Sequence, residues 1–251
     1  MMMAMMQMAV IGPCRVEDED QQTDRQTGNV VPSPTWRLIH RLQLPQAPPW
    51  GFIIYRTTYT PESYRQFPQI VELTNLYIKR EIRQEYAYFK ETFAGPPEEL
   101  KTGYQLICAN HRPTIIEDRT QLDGISLHGV RSHFESWIDD RASGRGRENW
   151  NWGHPTQRHV CLVVDEEVCQ VLGKAGARAI GEGTHAGRYL DKWWVKAVEA
   201  WPEIDEWERE ATGFDGAMKA SVFSLWGLCG LMDDPYPMWM MRRDGNGVYT
   251  G

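Results

Sequence analysis

At 251 residues, with 41% hydrophobic and 24% charged side chains, the chain is long enough to bury a sizeable core without disulfides or metals. Its formal net charge of −7 argues against a general nucleic-acid or anionic-membrane binder, because both need a basic surface. The five cysteines (Cys14, Cys108, Cys161, Cys169, Cys229) are scattered and form no CxxC pair, which argues against a disulfide framework and points to reduced thiols in the cytoplasm.

Residues 1–11 are apolar and methionine-rich. No basic residue precedes them, and the run is too short to span a bilayer, so neither a secretory signal nor a membrane anchor is expected. Residues 1–46 read as a disordered tail, with a polar, mostly acidic run at 17–24 and the prolines Pro32 and Pro34. Within it, Trp36, Leu38, Ile39 and Leu42 would dock as a short segment on the domain. A single domain is expected over 47–240, followed by a flexible C-terminus at 241–251.

Residues 50–59 (WGFIIYRTTY) are the longest run of strand formers and predict a central β-strand. Alternation puts Phe52, Ile54, Arg56 and Thr58 on one face and Ile53, Tyr55, Thr57 and Tyr59 on the other. Thr60 and Pro61 then predict a helix start. Pro68, which has no amide hydrogen, predicts a break. From Phe67 to Phe93 apolar residues recur every three or four positions, as in a long amphipathic helix that Gly95-Pro96-Pro97 would end. Residues 104–108 read as a short strand. Ser126 would cap a helix with Val130, Phe134, Trp137 and Ile138 on one face, and residues 141–157 read as a long loop.

Residues 159–164 predict a buried strand that hands over to a helix capped by Asp165. A glycine-rich loop is expected at 173–187, and a further strand at 193–199. A final helix would run from an Asp215 cap through Met218, Val222, Leu225, Cys229 and Met232. The fold class is therefore α+β: a small central sheet of three to five strands, with amphipathic helices covering one face.

The chemistry-bearing residues form no standard motif. No zinc spacing, G-x-S-x-G elbow, Walker loop or dinucleotide fingerprint occurs, so no metal or cofactor is expected. His133, His159, Glu166 and His185 are the candidates for acid–base work, provided burial tunes them. Trp150, Trp152, Trp193 and Trp194 would wall a small apolar ligand, helped by Arg56. A charge in a central strand needs a partner, so Arg56 is either a structural ion pair or an anion contact. Residues 191–215 hold eight acidic and three basic residues, a local charge of −5. Such a stretch is either a solvated face or a docking surface for a basic protein partner.

The set WGFIIYRTTY (50–59), LDG (122–124), VRSHFESW (130–137), CLVVDEE (161–167) and GAMKAS (216–221) resembles a group of uncharacterised proteins of filamentous ascomycete fungi. The likeness spans about residues 50–230 and carries no catalytic residue. It implies an association with secondary-metabolite pathways. Three functional expectations follow: an accessory or small-molecule-binding protein, a cofactor-free acid–base enzyme of cyclase or isomerase type on a small apolar substrate, and an interaction module using the acidic 191–215 face.

Overall fold

A computed structural model of the chain describes residues 33–92, 98–142, 155–175, 189–232, 238–241 and 247–251. It is α+β, and its centre is a six-stranded mixed sheet, one strand more than the expected upper limit. The strands are β1 (Ile53–Arg56), β2 (Thr114–Ile116), β3 (Val160–Val164), β4 (Trp194–Glu199), β5 (Ala217–Ser221) and β6 (Val248–Tyr249), in the spatial order β2-β1-β3-β4-β5-β6. β2, β1 and β3 run parallel, β4 is antiparallel to β3 and β5, and β6 is parallel to β5.

Nine α-helices lie among the described residues. They are α1 (Ser33–Leu42), α2 (Pro61–Thr92), α3 (Glu98–Asn110), α4 (Arg119–Leu122), α5 (Leu127–Ala142), α6 (Glu166–Leu172), α7 (Glu206–Thr212), α8 (Leu225–Leu231) and α9 (Met238–Met241).

β1 behaves as its alternation predicts. Phe52 and Ile54 enter a large core with α1, α2, α3, α6 and α8, while Ile53, Tyr55 and Tyr59 enter a smaller core under α5. Helices thus cover both faces of the sheet rather than the one expected. The physical reason is the parallel pairing: a parallel neighbour requires a crossover, and the crossovers lie on the faces. All four β1 residues are buried, Ile53, Ile54 and Tyr55 in the cores and Arg56 at the strand's end.

Several local expectations give way to tertiary packing. α2 does not break at Pro68. Pro68 and Tyr64, the residue whose carbonyl loses its donor, are exposed, so water meets that carbonyl. Phe67, Ile70, Leu73 and Tyr77 hold the helix to the core on both sides of the proline. Its start is as predicted, with the Ser63 amide donating to Thr60 Oγ1 at 3.1 Å.

Residues 104–108 are helical, not a strand. Leu100, Gly103, Tyr104 and Ile107 form the buried stripe of α3, spaced three and four apart. Residues 217–221 are a strand rather than the start of a helix, and only the shorter α8 follows. Met218 and Ala220 alternate with Ala217 and Lys219, and β4 and β6 supply partners on both sides.

Residues 33–42 fold as α1, and Leu38, Ile39 and Leu42 dock in the larger core with Trp36 packed against it, as expected of that short segment; Val248–Tyr249 pair with β5 inside the stretch expected to be flexible. The close approach of α1 requires Gly103. A Cβ there would lie 2.6 Å from Ile39 Cδ1 and 3.0 Å from its Cγ2. No helix among the described residues is long and apolar enough to cross a membrane.

Candidate functional site

The parallel strands point to one place first. In open parallel sheets, ligands favour the carboxyl ends of the strands where the strand order reverses, here between β1 and β3. Arg56 ends β1 at that point and is 4% exposed. Its Nε donates to the Thr58 carbonyl (2.9 Å), Nη1 to Glu117 Oε1 (3.0 Å) and Nη2 to Ser63 Oγ (3.1 Å). The rings of Tyr59 and Tyr64 lie 4.7 and 4.0 Å from the guanidinium carbon. Every guanidinium nitrogen is engaged, so Arg56 acts as a staple joining β1, α2 and the end of β2.

Thr58 Oγ1 donates to Glu166 Oε2 (3.0 Å), which brings Arg56 and Glu166 to the same end of the sheet. Beside them, Lys196 bonds Asp165 and Glu167, and Lys219 bonds Glu167 at 2.8 Å. The two lysine hydrogen bonds hold the Glu167 carboxyl below its ordinary range. A cleft of about 360 Å³ is lined by Glu167, Lys196 and Lys219 together with Leu127. Its lysines are already answered by carboxylates, so the network is closed.

The other predicted residues do not converge. His133 on α5 accepts or donates at Nδ1 with the buried Tyr55 hydroxyl (2.9 Å). Burial raises that phenol far above its ordinary range, so the pair is a polar clamp within the smaller core. His159 precedes β3 and Glu166 follows it, so the strand separates them by roughly 20 Å. Trp193 is buried in a stack with Tyr189 (4.5 Å) and Phe223 (5.8 Å). Trp194 lies under the Lys219 ammonium at 4.0 Å. Trp150, Trp152 and His185 lie outside the described residues. Among the described residues no three His, Cys, Asp or Glu side chains are grouped to hold a metal ion.

The acidic 191–215 stretch forms β4, a turn and α7. α7 buries none of its residues and carries Trp207 at 66% exposure.

A different site emerges between α2 and α3. These helices form a hairpin with a groove of about 490 Å³, lined by Lys79, Ile82, Arg83 and Tyr86 from α2 and by Lys101, Tyr104, Gln105, Cys108 and Ala109 from α3. The two tyrosine rings sit 5.3 Å apart at a tilt of 47°. Three cations line the groove and no carboxylate does, among the described residues. Lys101 is answered from outside by Glu98 at 3.0 Å. Lys79 and Arg83, one turn apart, form no ion pair with any described residue. Burial raises the Cys108 thiol, while Arg83 and Lys79 pull it back, so their charges reach the groove floor.

Behind the groove, α2 presents a polar hub. Glu85 accepts from the Tyr104 hydroxyl, from Thr35 Oγ1 (2.9 Å) and from Trp226 Nε1. Glu81, one turn earlier, accepts from the Trp226 amide (2.9 Å) at the start of α8. Burial pushes the Glu81 carboxyl well above its ordinary range, and Glu85 adds to the effect against the opposing Trp226 amide. Tyr104, 4% exposed, is thus anchored in the core behind the groove.

Sequence reasoning missed this groove because it read 104–108 as a strand. The signal was present in the spacing of Leu100, Gly103, Tyr104 and Ile107, together with the Lys79, Arg83 and Tyr86 stripe. No family model matches the chain, and no curated protein or solved structure matches it either.

Proposed function

We propose that the protein binds a small organic molecule in the groove between α2 and α3 and serves as a binding or accessory protein. One observation carries the reading: the groove has ligand size and is lined by cations that no lining carboxylate answers. Lys79 and Arg83 are reachable from solvent, so a ligand anion can meet them without first displacing an ion pair. By contrast, the charges at the carboxyl end of the sheet answer each other. Among the described candidate proton carriers, His133 lies on α5, while His159 and Glu166 flank opposite ends of β3, which is why a binding role is preferred to acid–base catalysis.

The test is equilibrium titration with 1-anilinonaphthalene-8-sulfonate, followed by its fluorescence, on the full chain and on Gln105→Trp. Gln105 is an exposed residue of the groove lining, so a larger ring there fills the seat without entering the core. Saturable binding by the parent and its loss in the variant, with unchanged far-UV circular dichroism, is the expected outcome. Equal binding by both proteins would refute the reading. The wider setting, an intracellular step in a fungal secondary-metabolite pathway, rests on the sequence resemblance alone; metabolite profiles of a deletion strain identical to the parent would count against it.

A further inference from the structure

The α2–α3 groove has a direction, and the direction names a class of ligand. α2 and α3 are successive helices joined by a short connection, so residues late in α2 lie opposite residues early in α3. Tyr86 meets Tyr104 at 5.3 Å near the connection, while Lys79 and Arg83 lie one to two turns away toward Cys108. Lys79 also acts on buried His111 just beyond α3, helping burial to push its imidazole down to about 4. The Lys79 charge therefore sits at the far end of the groove, not at the tyrosine end.

The two ends differ in electrostatics. At the tyrosine end, the cation Lys101 has its own carboxylate, Glu98, at 3.0 Å. At the other end, Lys79 and Arg83 have none among the described residues. Between them, the half-buried Tyr86 ring is the aromatic wall, and Ile82 and Tyr104, 0% and 4% exposed, are packed behind it. The Tyr104 hydroxyl is held by Glu85, so the Tyr104 ring backs Tyr86. From Lys79 to Tyr86 the helix rises about 10 Å, the length of a two-ring aromatic acid.

We propose that the ligand class of this groove is an amphipathic monoanion with an aromatic body: its carboxylate, sulfonate or phosphate head is held by Lys79 and Arg83, and its rings lie against Tyr86. This rests on the binding role proposed for the same groove. The arginine fork matches a planar carboxylate, and the lysine adds a point charge one turn away. A neutral analogue would leave both cations as they are in the free protein and would gain only the ring contacts. A cationic analogue would meet two like charges.

The experiment is isothermal titration of the full chain with three probes of one shape: 2-naphthoate, 2-naphthylmethanol and 2-naphthylmethylamine. The expected order is anion, then neutral alcohol, with the amine weakest. The charge-reversed Lys79→Glu/Arg83→Glu protein is expected to bind the anion about tenfold or more weakly and to favour the amine, since two attractive contacts become repulsive at a half-solvated site.

Rescue is part of the test: Lys79→Arg should keep the anion preference. If the anion and alcohol bind equally and saturably, the groove is a ligand seat but the head-group assignment falls. If the reversal leaves anion binding unchanged while Gln105→Trp abolishes it, the head lies elsewhere and the proposal is overturned. If none of the three probes binds, the underlying binding role falls with it. Identical circular dichroism and urea midpoints for the reversed protein exclude misfolding, since both residues lie on the groove surface.

Discussion

Glu199, at the end of β4, offers the sharpest quantitative test of the structure. Its Oε1 accepts from the Met238 amide at 3.4 Å, and its Oε2 is buried without a hydrogen-bond partner. Burial raises its carboxyl from the ordinary 4.5 to about 7; the Met238 amide and Arg131 oppose the rise and Glu203 adds to it. The folded protein therefore holds this proton more tightly than the unfolded chain. The folded state is unpenalised below the unfolded pKa and loses stability as pH climbs through the folded one.

A shift of this size corresponds to roughly 3 kcal/mol when integrated across the window, and to less for the part of the carboxyl that water reaches. Glu199→Gln removes the titration and keeps the shape: Oε1 still accepts from Met238, and the amide stands where the protonated oxygen stood. The expected result is near-equal stability of the two proteins at about pH 4.5 and a glutamine variant more stable by about 2–3 kcal/mol at about pH 8. Urea midpoints measured across that range give the difference directly, and other titrating groups cancel between the two proteins. A difference that stays constant with pH would show that Glu199 is solvated in the folded state and would refute the burial argument.

Two further substitutions probe the scaffold. Arg56→Met removes a guanidinium that three partners share and should cost about 2–4 kcal/mol in urea unfolding, and Arg56→Lys should recover little because an ammonium cannot span those partners; parent-like stability of the lysine protein would show that charge alone matters there. Gly103→Ala should destabilise by about 1 kcal/mol, the gain in helix propensity being outweighed by overpacking against Ile39. Ile39→Val in the same protein should recover part of the loss, and a more stable Gly103→Ala would mean that α1 does not dock against α3.

Much of the framework was legible in local signals. The alternation of residues 50–59 needs no neighbour to define two apolar faces, and it correctly placed β1 in the middle of the sheet. The Thr60–Pro61 start of α2, the Asp165 cap of α6 and the α5 stripe of Val130, Phe134 and Ile138 are likewise contacts within a few residues of chain. The candidate site was less legible. Lys79, Arg83 and Tyr86 were visible as part of the charged and aromatic faces of a long helix, but the opposing wall was read in the wrong secondary structure.

Charge and pattern by themselves determined the α+β class, the long amphipathic helix and the need of Arg56 for a partner, because periodicity and the cost of burying a charge act at the level of a few residues. Only the tertiary structure decided which partners answer which charges. Glu117 reaches Arg56 across 61 positions, and Glu167 on α6 gathers Lys196 and Lys219 from β4 and β5, while Lys79 and Arg83 are left open on the groove. It also decided that residues 217–221 become a strand, since their apolar residues suit either a helix or a strand and the hydrogen bonds that choose between them come from β4 and β6. Such choices depend on backbone partners and ion pairs far apart in the chain, and no local window contains them.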